Sequence, residues 1–380
     1  MKIALDASAF FDGPPGARTY FLELMPELIR LLGSEDELLV LYPRSRQLPE
    51  QLVWLLRGPR LHRLPVPMPS GRLNRAWRRL GMPAVERLAA RHLPSPRPQI
   101  LHSIAPPLLP TTAAHRILTV HSLAAPGSDT GAASPGLVAA SIRRSRVVIT
   151  PSLRTERAIR ELPRCGSARV EIIPSGVNDR FLKPPKASDV EALCDRYPFL
   201  QEPYLLSLGA ATETTRNLPF LLDAYALARF GEPDLPPLVV VSASPDADEE
   251  IQRRQLDGVV LRLEELEGDS LVALYRGAEL LLYPALDNAF GQGLLEAAAC
   301  GVPAIADPSC GALELVVDGV LQPELSPPAW AAEIVRLHRD PALRRQAGWR
   351  AQQAARPYTW ESSARRLWDL YTGLTAAASR

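Results

Sequence analysis

The sequence predicts an α/β protein made of two parallel-sheet domains of similar size. Short apolar runs typical of buried strands alternate with amphipathic helical segments along the chain. The order strand, glycine-bearing loop, helix, strand opens the chain and begins again at Tyr204. With 380 residues, the chain is long enough for two domains.

Composition narrows the class of protein. Hydrophobic residues make up 46% and charged residues 22% of the chain, as in soluble globular proteins. The net charge of +1 gives no electrostatic reason to expect a nucleic acid partner. The four cysteines lack metal-ligand spacing, so we interpret them as reduced thiols and expect no metal. Asp6 comes too early for a signal peptide, and no apolar run approaches a membrane span, so we expect a cytoplasmic protein.

The first half opens on a strand, residues 3–5, which Asp6 ends, followed by a glycine- and proline-rich loop over residues 12–20. Apolar side chains at helical spacing then predict a helix from Phe21 to Leu32, and Gly33 stands where a helix-ending glycine belongs. Further strands are predicted at residues 38–42, 99–102, 116–120, 147–150 and 170–173.

His121 directly follows one of these strands. Ligands of open α/β sheets bind at the carboxyl ends of strands, so His121 is a candidate site residue, although a structural histidine is an equal alternative. The next segment, residues 124–136, is small and turn-rich, and we expect a mobile loop beside the site.

The segment from Arg57 to Arg97 is strongly basic. It holds ten arginines against one acid, Glu86, with Trp77 among them. One interpretation is a solvated helical face; the other is a basic surface for an anionic acceptor or for peripheral contact with anionic lipid at the inner face of a membrane.

Prolines crowd residues 183–203, where we place the linker between the halves. The predicted domains are therefore residues 1–185 and 200–358. In the second half, strands are predicted at residues 204–208, 238–241, 259–263 and 280–283, and helices at residues 218–230 and 358–371.

A loop that could bind an anion follows the last of these strands. Tyr283 ends an apolar run, Gly291 and Gly293 remove side chains from the loop, and a helix is predicted from Leu294 to Cys300. A strand end, a glycine loop and a helix N-terminus together suit a nucleotide diphosphate. A plain strand-to-helix connection is the alternative.

Taken together, these segments resemble a GT-B fold glycosyltransferase of family 4 (glycosyltransferase group 1), of a mannosyltransferase-like kind. The resemblance spans nearly the whole chain and rests on the order and spacing of its motifs. The segments that carry it are Leu5-Asp-Ala, Gly16-Ala-Arg-Thr-Tyr20, Leu101-His-Ser, Thr119-Val-His121, Thr150-Pro-Ser-Leu-Arg-Thr-Glu, Ile173-Pro-Ser-Gly-Val, Leu271-Val-Ala-Leu-Tyr-Arg-Gly-Ala, Phe290-Gly-Gln-Gly-Leu-Leu-Glu-Ala and Cys300-Gly-Val-Pro-Ala-Ile.

The resemblance implies two Rossmann-like domains facing each other across a cleft, with helix 359–380 packing back on the first. It implies a retaining hexosyl transfer from a nucleotide-diphosphate sugar, which is a substrate and not a cofactor, to a glycan or lipid-linked acceptor. By position in the motifs, Glu296 would accept the ribose hydroxyls and His121 would stand near the sugar. The other donor-binding residues that it implies are Gly16, Arg18, Gly209, Arg216, Phe290, Gly291, Gln292, Gly293 and Leu294, with Arg216 also neutralising the diphosphate.

Four positions depart from the family pattern, and each departure removes a charge. Asn288 stands where the family has a glutamate that would act in catalysis with His121 and Arg216. An uncharged residue also replaces a charged one at Ala210, Ser122 and Asn178. The alternative to an active enzyme is therefore a catalytically degenerate GT-B protein that serves as a nucleotide-binding or partner subunit. Another chemistry of this fold, such as nucleotide-sugar epimerisation, also stays open.

Overall fold

The computed structural model describes residues 1–13, 15–66, 84–85, 97–123, 134–208, 217–242, 246–264, 266–284 and 290–377. The chain divides into two compact units. The first contains Met1–Gly176 and Trp360–Arg380, and the second contains Val177–Thr359. The C-terminal helix thus belongs to the first unit.

Among the described residues, the first unit has a seven-stranded parallel sheet of order β3-β2-β1-β4-β5-β6-β7. Its strands are β1 (Lys2–Asp6), β2 (Glu37–Pro43), β3 (Leu61–Val66), β4 (Ile100–Ser103), β5 (His115–Thr119), β6 (Val147–Thr150) and β7 (Val170–Ile172). Its helices are α1 (Ser8–Asp12), α2 (Pro15–Leu31), α3 (Glu50–Leu55), α4 (Pro135–Arg144), α5 (Leu153–Glu161) and, at the end of the chain, α15 (Trp360–Ala377).

The first sheet is buried on both faces. On one face, α2 packs against α15, and Phe21 of α2 shares a core with Trp360 and Tyr371 of α15. On the other face, Leu39 and Val148 belong to a second core. Burial on both faces explains why interior strands such as β1, β2 and β6 are largely apolar in sequence.

The second unit, in its described part, has a six-stranded parallel sheet of order β10-β9-β8-β11-β12-β13. Its strands are β8 (Tyr204–Leu208), β9 (Leu238–Val241), β10 (Val260–Leu263), β11 (Ala278–Tyr283), β12 (Ala304–Ala306) and β13 (Val320–Leu321). Its helices are α6 (Asp179–Leu182), α7 (Ala187–Arg196), α8 (Leu218–Gly231), α9 (Asp246–Arg253), α10 (Gly268–Gly277), α11 (Gln292–Cys300), α12 (Leu313–Val316), α13 (Pro327–Arg339) and α14 (Pro341–Ala355).

Each sheet has a point at which the strand order reverses direction, and this is where open α/β sheets bind ligands. In the second unit the reversal lies between β8 and β11. Gly209, a predicted donor-binding residue, directly follows β8, and residue 284 directly follows β11, so both connections start beside this point. In the first unit the reversal lies between β1 and β4, which end at Asp6 and Ser103.

Four sequence predictions differ from the structure. The loop predicted over residues 12–20 is largely helical, because α2 already begins at Pro15. The first unit ends at Gly176, earlier than the predicted residue 185, and Phe181 packs into the core of the second unit. The predicted linker contains the helix α7. Part of the basic segment forms the edge strand β3 and not a helical face, while its residues 67–83 and 86–96 lie outside the described residues.

Candidate functional site

The loop between β11 and α11 requires glycine at position 291 for a reason internal to the protein. Gly291 has φ +88°, a left-handed conformation that residues with a Cβ rarely adopt. A Cβ at this position would also overlap the Cys310 sulfur. The backbone therefore makes its turn into α11 tightly against Cys310.

Hydrogen bonds fix the neighbouring backbone. The Ala312 amide donates to the Phe290 carbonyl at 2.5 Å, and the Asp307 amide donates to the Tyr283 carbonyl at 3.1 Å. The side chains of Phe290 and Leu294 are buried in the core. Neither of these two side chains is therefore placed to meet a ligand.

The first turn of α11 uses part of its own hydrogen-bonding capacity. The Leu294 amide donates to the Gly291 carbonyl at 3.0 Å, so Leu294, a predicted donor-binding residue, has both its side chain and its amide engaged. Gln292 begins the helix, and Gly293 lies so close to β8 that a Cβ would stand 3.1 Å from Leu208 Cδ1. The positive end of the helix dipole still lies at this loop.

Glu296 projects from the second turn of α11 and is half-buried. The Tyr275 hydroxyl of α10 donates to Glu296 Oε2 at 3.0 Å and lies 3.2 Å from the Gly293 carbonyl. Burial, followed by the charge of Glu296, raises the pKa of Tyr275 well above its usual value. The phenol therefore stays protonated and remains a donor to the carboxylate.

His121 lies in the first unit, two residues after β5, and is half-buried. Burial lowers the pKa of His121 to about 4, against a smaller opposing effect of the Ile104 carbonyl. Its Nε2 lies 2.9 Å from that carbonyl, which can only accept, so Nε2 carries the proton of the neutral ring. Its ring also meets the Tyr20 ring edge-on, with centroids 4.9 Å apart.

His102, by contrast, is fully buried and structural. Its Nδ1 lies 2.6 Å from the Tyr371 hydroxyl and its Nε2 lies 2.7 Å from Thr119 Oγ1. Burial lowers the pKa of His102 to about 3, so the ring is neutral. These contacts attach α15 to the sheet.

Asp6 is a candidate that the sequence interpretation missed. It lies at the end of β1, beside the reversal of strand order, and is 1% exposed. Its Oδ1 accepts from the Ser8 amide at 3.0 Å and the Ser8 hydroxyl at 2.5 Å, and its Oδ2 accepts from the Ser103 hydroxyl at 2.9 Å. Burial raises the pKa of Asp6 to about 6 despite these donors. The sequence feature that could have identified Asp6 is an acidic residue at the very end of a buried strand.

Of the remaining predicted site residues, the structure describes Gly16 and Arg18 but not Gly209, Arg216 or Asn288. Gly16 lies in the first turn of α2, where a Cβ would meet no atom within 4 Å, and Arg18 is exposed with its guanidinium 5.5 Å from the Phe10 ring centroid. Gly209, Arg216 and Asn288 lie outside the described residues. Ala210 and residues 124–133 lie there too.

Two absences hold within the described part of the chain. No group of three or more histidine, cysteine, aspartate or glutamate side chains is arranged so that it could hold a metal ion there. None of the helices described has both the length and the apolar character that crossing a membrane requires.

Comparison with protein families assigns both halves of the chain to glycosyltransferases. Residues 15–181 match the model described as "Glycosyltransferase Family 4", and residues 202–340 match "Glycosyl transferases group 1". The chain belongs to this family, and the predicted resemblance to glycosyltransferase family 4 (group 1) is confirmed, whereas its mannosyltransferase-like kind stays a prediction.

Curated relatives support the same assignment over part of the chain. The D-inositol 3-phosphate glycosyltransferase of Salinispora arenicola is 32% identical over 228 residues, which are 55% of this chain and 50% of that protein. The same-named protein of Salinispora tropica is 39% identical over 107 residues, 27% of this chain and 22% of that protein. The chain thus spans about half or less of the length of these relatives.

Solved structures share the fold at low identity. Sucrose-phosphate synthase from Thermosynechococcus elongatus has a TM-score of 0.74 at 18% identity, covering 99% of this chain and all of that one (100%). A glycosyltransferase from Rickettsia africae has a TM-score of 0.77 at 14% identity, with 98% of each chain covered. Anabaena HepE in complex with UDP and glucose has a TM-score of 0.68 at 18% identity, with 98% of this chain and 100% of that chain covered. These likenesses confirm the α/β GT-B fold class.

Proposed function

We propose that this protein is a retaining glycosyltransferase that moves a hexose from a nucleotide-diphosphate sugar to a glycan or glycolipid acceptor. The observation that carries the proposal is the loop from β11 to α11. Its described ends combine a backbone held by hydrogen bonds at Tyr283 and Phe290, a helix N-terminus and a carboxylate, Glu296, which a buried phenol contacts. The family assignment of both halves supports donor binding by the second unit.

The chemistry asked of the site is charge stabilisation. The bond from the sugar C1 to the diphosphate oxygen breaks, a bond from C1 to the acceptor oxygen forms, and the acceptor proton passes to the departing diphosphate. Negative charge then grows on the diphosphate, where the dipole of α11 and the predicted cations Arg216 and Arg18 would stabilise it without a metal. Losing one such donor costs roughly 3 kcal/mol of barrier in comparable sites.

His121 would act as a neutral hydrogen-bond partner of the sugar. Because Nε2–H is directed at the Ile104 carbonyl, the ring presents Nδ1 as an acceptor for a sugar hydroxyl. The low pKa of His121 disfavours a positively charged role at neutral pH.

The alternative is a degenerate GT-B protein that binds a nucleotide without turnover. The observation that favours it is the missing charge at Asn288, Ala210, Ser122 and Asn178. Asn178 caps α6 instead, with Oδ1 accepting from the Arg180 amide at 3.1 Å. That contact gives the asparagine a local structural role.

Measurements of nucleotide binding and then of turnover distinguish the active glycosyltransferase from the degenerate protein. Thermal shift with UDP, GDP, ADP and dTDP identifies the nucleotide, and the matching sugar nucleotides are then assayed for hydrolysis and transfer, with and without EDTA. We expect transfer that EDTA does not abolish. Binding without turnover, also after Asn288→Glu, would favour the degenerate protein, and binding of no nucleotide would refute both.

The acceptor and the membrane contact are tested separately. The names of the relatives make D-inositol 3-phosphate the first acceptor to try, followed by glycolipids. Peripheral contact with anionic membrane through Arg57–Arg97 gains support from Trp54, which lies just before this segment and is 69% exposed. Liposome flotation tests this membrane contact by comparing anionic with neutral liposomes. Equal recovery of the protein with both would indicate that Arg57–Arg97 is an ordinary solvated surface.

A further inference from the structure

Tyr275 contacts Glu296 from the interior of the protein, with its hydroxyl 3.0 Å from Glu296 Oε2. Its ring is fully buried in the core of the second unit and meets the Phe181 ring edge-on, with centroids 5.9 Å apart. The packing leaves the ring no freedom to follow a moving carboxylate. The hydroxyl therefore stays in one place, where its single proton can be donated to Glu296 Oε2 at 3.0 Å or to the Gly293 carbonyl at 3.2 Å.

The chain makes room for this hydroxyl at Gly293. A Cβ on residue 293 would stand 3.2 Å from the Tyr275 oxygen and 3.1 Å from Leu208 Cδ1, which is tighter than side chains normally pack. Glycine at this position thus lets α11 lie close enough for Tyr275 to reach Glu296, one helical turn further on.

We propose that Tyr275 is a positioning residue for nucleotide recognition, an inference that rests on the proposed function. It fixes one carboxylate oxygen of Glu296 so that the carboxylate keeps a single orientation toward the two hydroxyls of a ribose. The inward hydrogen bond occupies only one of about four acceptor sites that a carboxylate offers. Pre-orientation removes the entropy that ordering Glu296 on binding would otherwise cost.

A purely structural role would look different. If Tyr275 only satisfied its own buried hydroxyl, its loss would lower stability and would change affinity, if at all, regardless of the ribose. If it orients Glu296, its loss weakens only ligands that carry ribose hydroxyls. The dependence on those hydroxyls therefore separates the two roles.

The experiment measures dissociation constants by calorimetry for whichever of UDP, GDP and ADP binds most tightly, and for its 2′,3′-dideoxy analogue. Tyr275→Phe keeps the ring and removes the hydroxyl, and Glu296→Gln removes the charge. Tyr225→Phe is the matched control, because the Tyr225 hydroxyl is also buried in this unit and donates to the Pro236 carbonyl at 2.9 Å.

We expect Tyr275→Phe to weaken the ribonucleotide about tenfold, the size of a hydrogen bond to a charged group, and to leave the dideoxy analogue unchanged. Tyr225→Phe should change neither. If Glu296→Gln weakens binding and Tyr275→Phe does not, the positioning role is refuted and the donor site stands. Equal weakening of both ligands by Tyr275→Phe also refutes it. If Glu296→Gln has no effect, or no nucleotide binds, the proposed donor site itself fails.

Discussion

Replacing Gly291 by alanine tests the backbone conformation on which the proposed donor site depends. The substitution meets two separate obstacles. Its φ of +88° disfavours any residue with a Cβ, and the new methyl group would overlap the Cys310 sulfur. The next neighbours, Ala312 Cβ at 3.6 Å and Tyr283 Cε1 at 3.8 Å, would be at ordinary contact distance.

These numbers give a magnitude for each obstacle. The left-handed backbone costs about 1–2 kcal/mol, and overpacking against a fixed neighbour adds about 1–3 kcal/mol. Gly291→Ala should therefore destabilise the loop by about 2–5 kcal/mol. Removing the sulfur with Cys310→Ala should relieve the second part alone, so the double variant should show a favourable coupling of about 1–3 kcal/mol.

Gly301→Ala provides a matched control at the other end of α11. Gly301 has φ +79°, but its nearest neighbour for a Cβ is Gln352 Nε2 at 3.4 Å, so only the backbone term applies. Hydrogen exchange of peptides from α11 across a urea series measures the free energy of opening in each variant. A Gly291→Ala variant no less stable than Gly301→Ala, or no rescue by Cys310→Ala, would refute the close approach of the loop to Cys310.

Three further predictions follow from other parts of the first unit. Burial raises the pKa of Asp6 from 3.8 to about 6, so between these pH values the folded state holds a proton that the unfolded chain has lost. The free energy of unfolding should therefore fall as pH rises from 3.8 through 6, and Asp6→Asn should remove that dependence in urea titrations. Burial lowers the pKa of His121 from 6.5 to about 4, so stability is lost as pH falls from 6.5 toward 4; His121→Gln should flatten the curve there, and an unchanged slope would contradict this. Gly373→Ala in α15, where a Cβ meets no atom within 4 Å, should stabilise by about 0.5–1 kcal/mol in calorimetry, whereas a loss would show a hidden contact.

Several strands could be predicted because the sequence pattern of a buried strand depends only on its own residues. Val147–Thr150, Tyr204–Leu208 and Leu238–Val241 occur in the structure with the predicted bounds. Each is a short apolar run that lies inside a parallel sheet covered on both faces, so its sequence carries the signal without help from its neighbours. The likeness of the two halves followed from the same signal.

Other elements depend on contacts that a sequence does not display. β3 lies within an arginine-rich segment because an edge strand can keep Arg63 exposed while Leu64 is buried. Ala304–Ala306 is only three residues long and too weakly patterned to be recognised. The Asp6–Ser103 hydrogen bond joins β1 to β4, strands that the strand order alone brings together.

The structure changes the argument for a ligand at the β11–α11 loop. The sequence interpretation took Gly291 and Gly293 as openings for a ligand, and that stays a prediction. Each glycine also has a packing reason, since Gly291 avoids Cys310 and Gly293 avoids Leu208 and Tyr275.

A feature explained by packing cannot by itself argue for a ligand. Glu296 is the stronger indication of a ligand, because it is a half-buried carboxylate on α11 to which the core supplies a phenol donor. In the proposed function, this carboxylate would accept hydrogen bonds from the neutral ribose hydroxyls, while the helix dipole and the predicted cations Arg216 and Arg18 would stabilise the phosphates. Nucleotide binding of this kind requires Glu296 but no charge at position 288. A protein with Asn288 in place of the catalytic glutamate could therefore still bind a nucleotide.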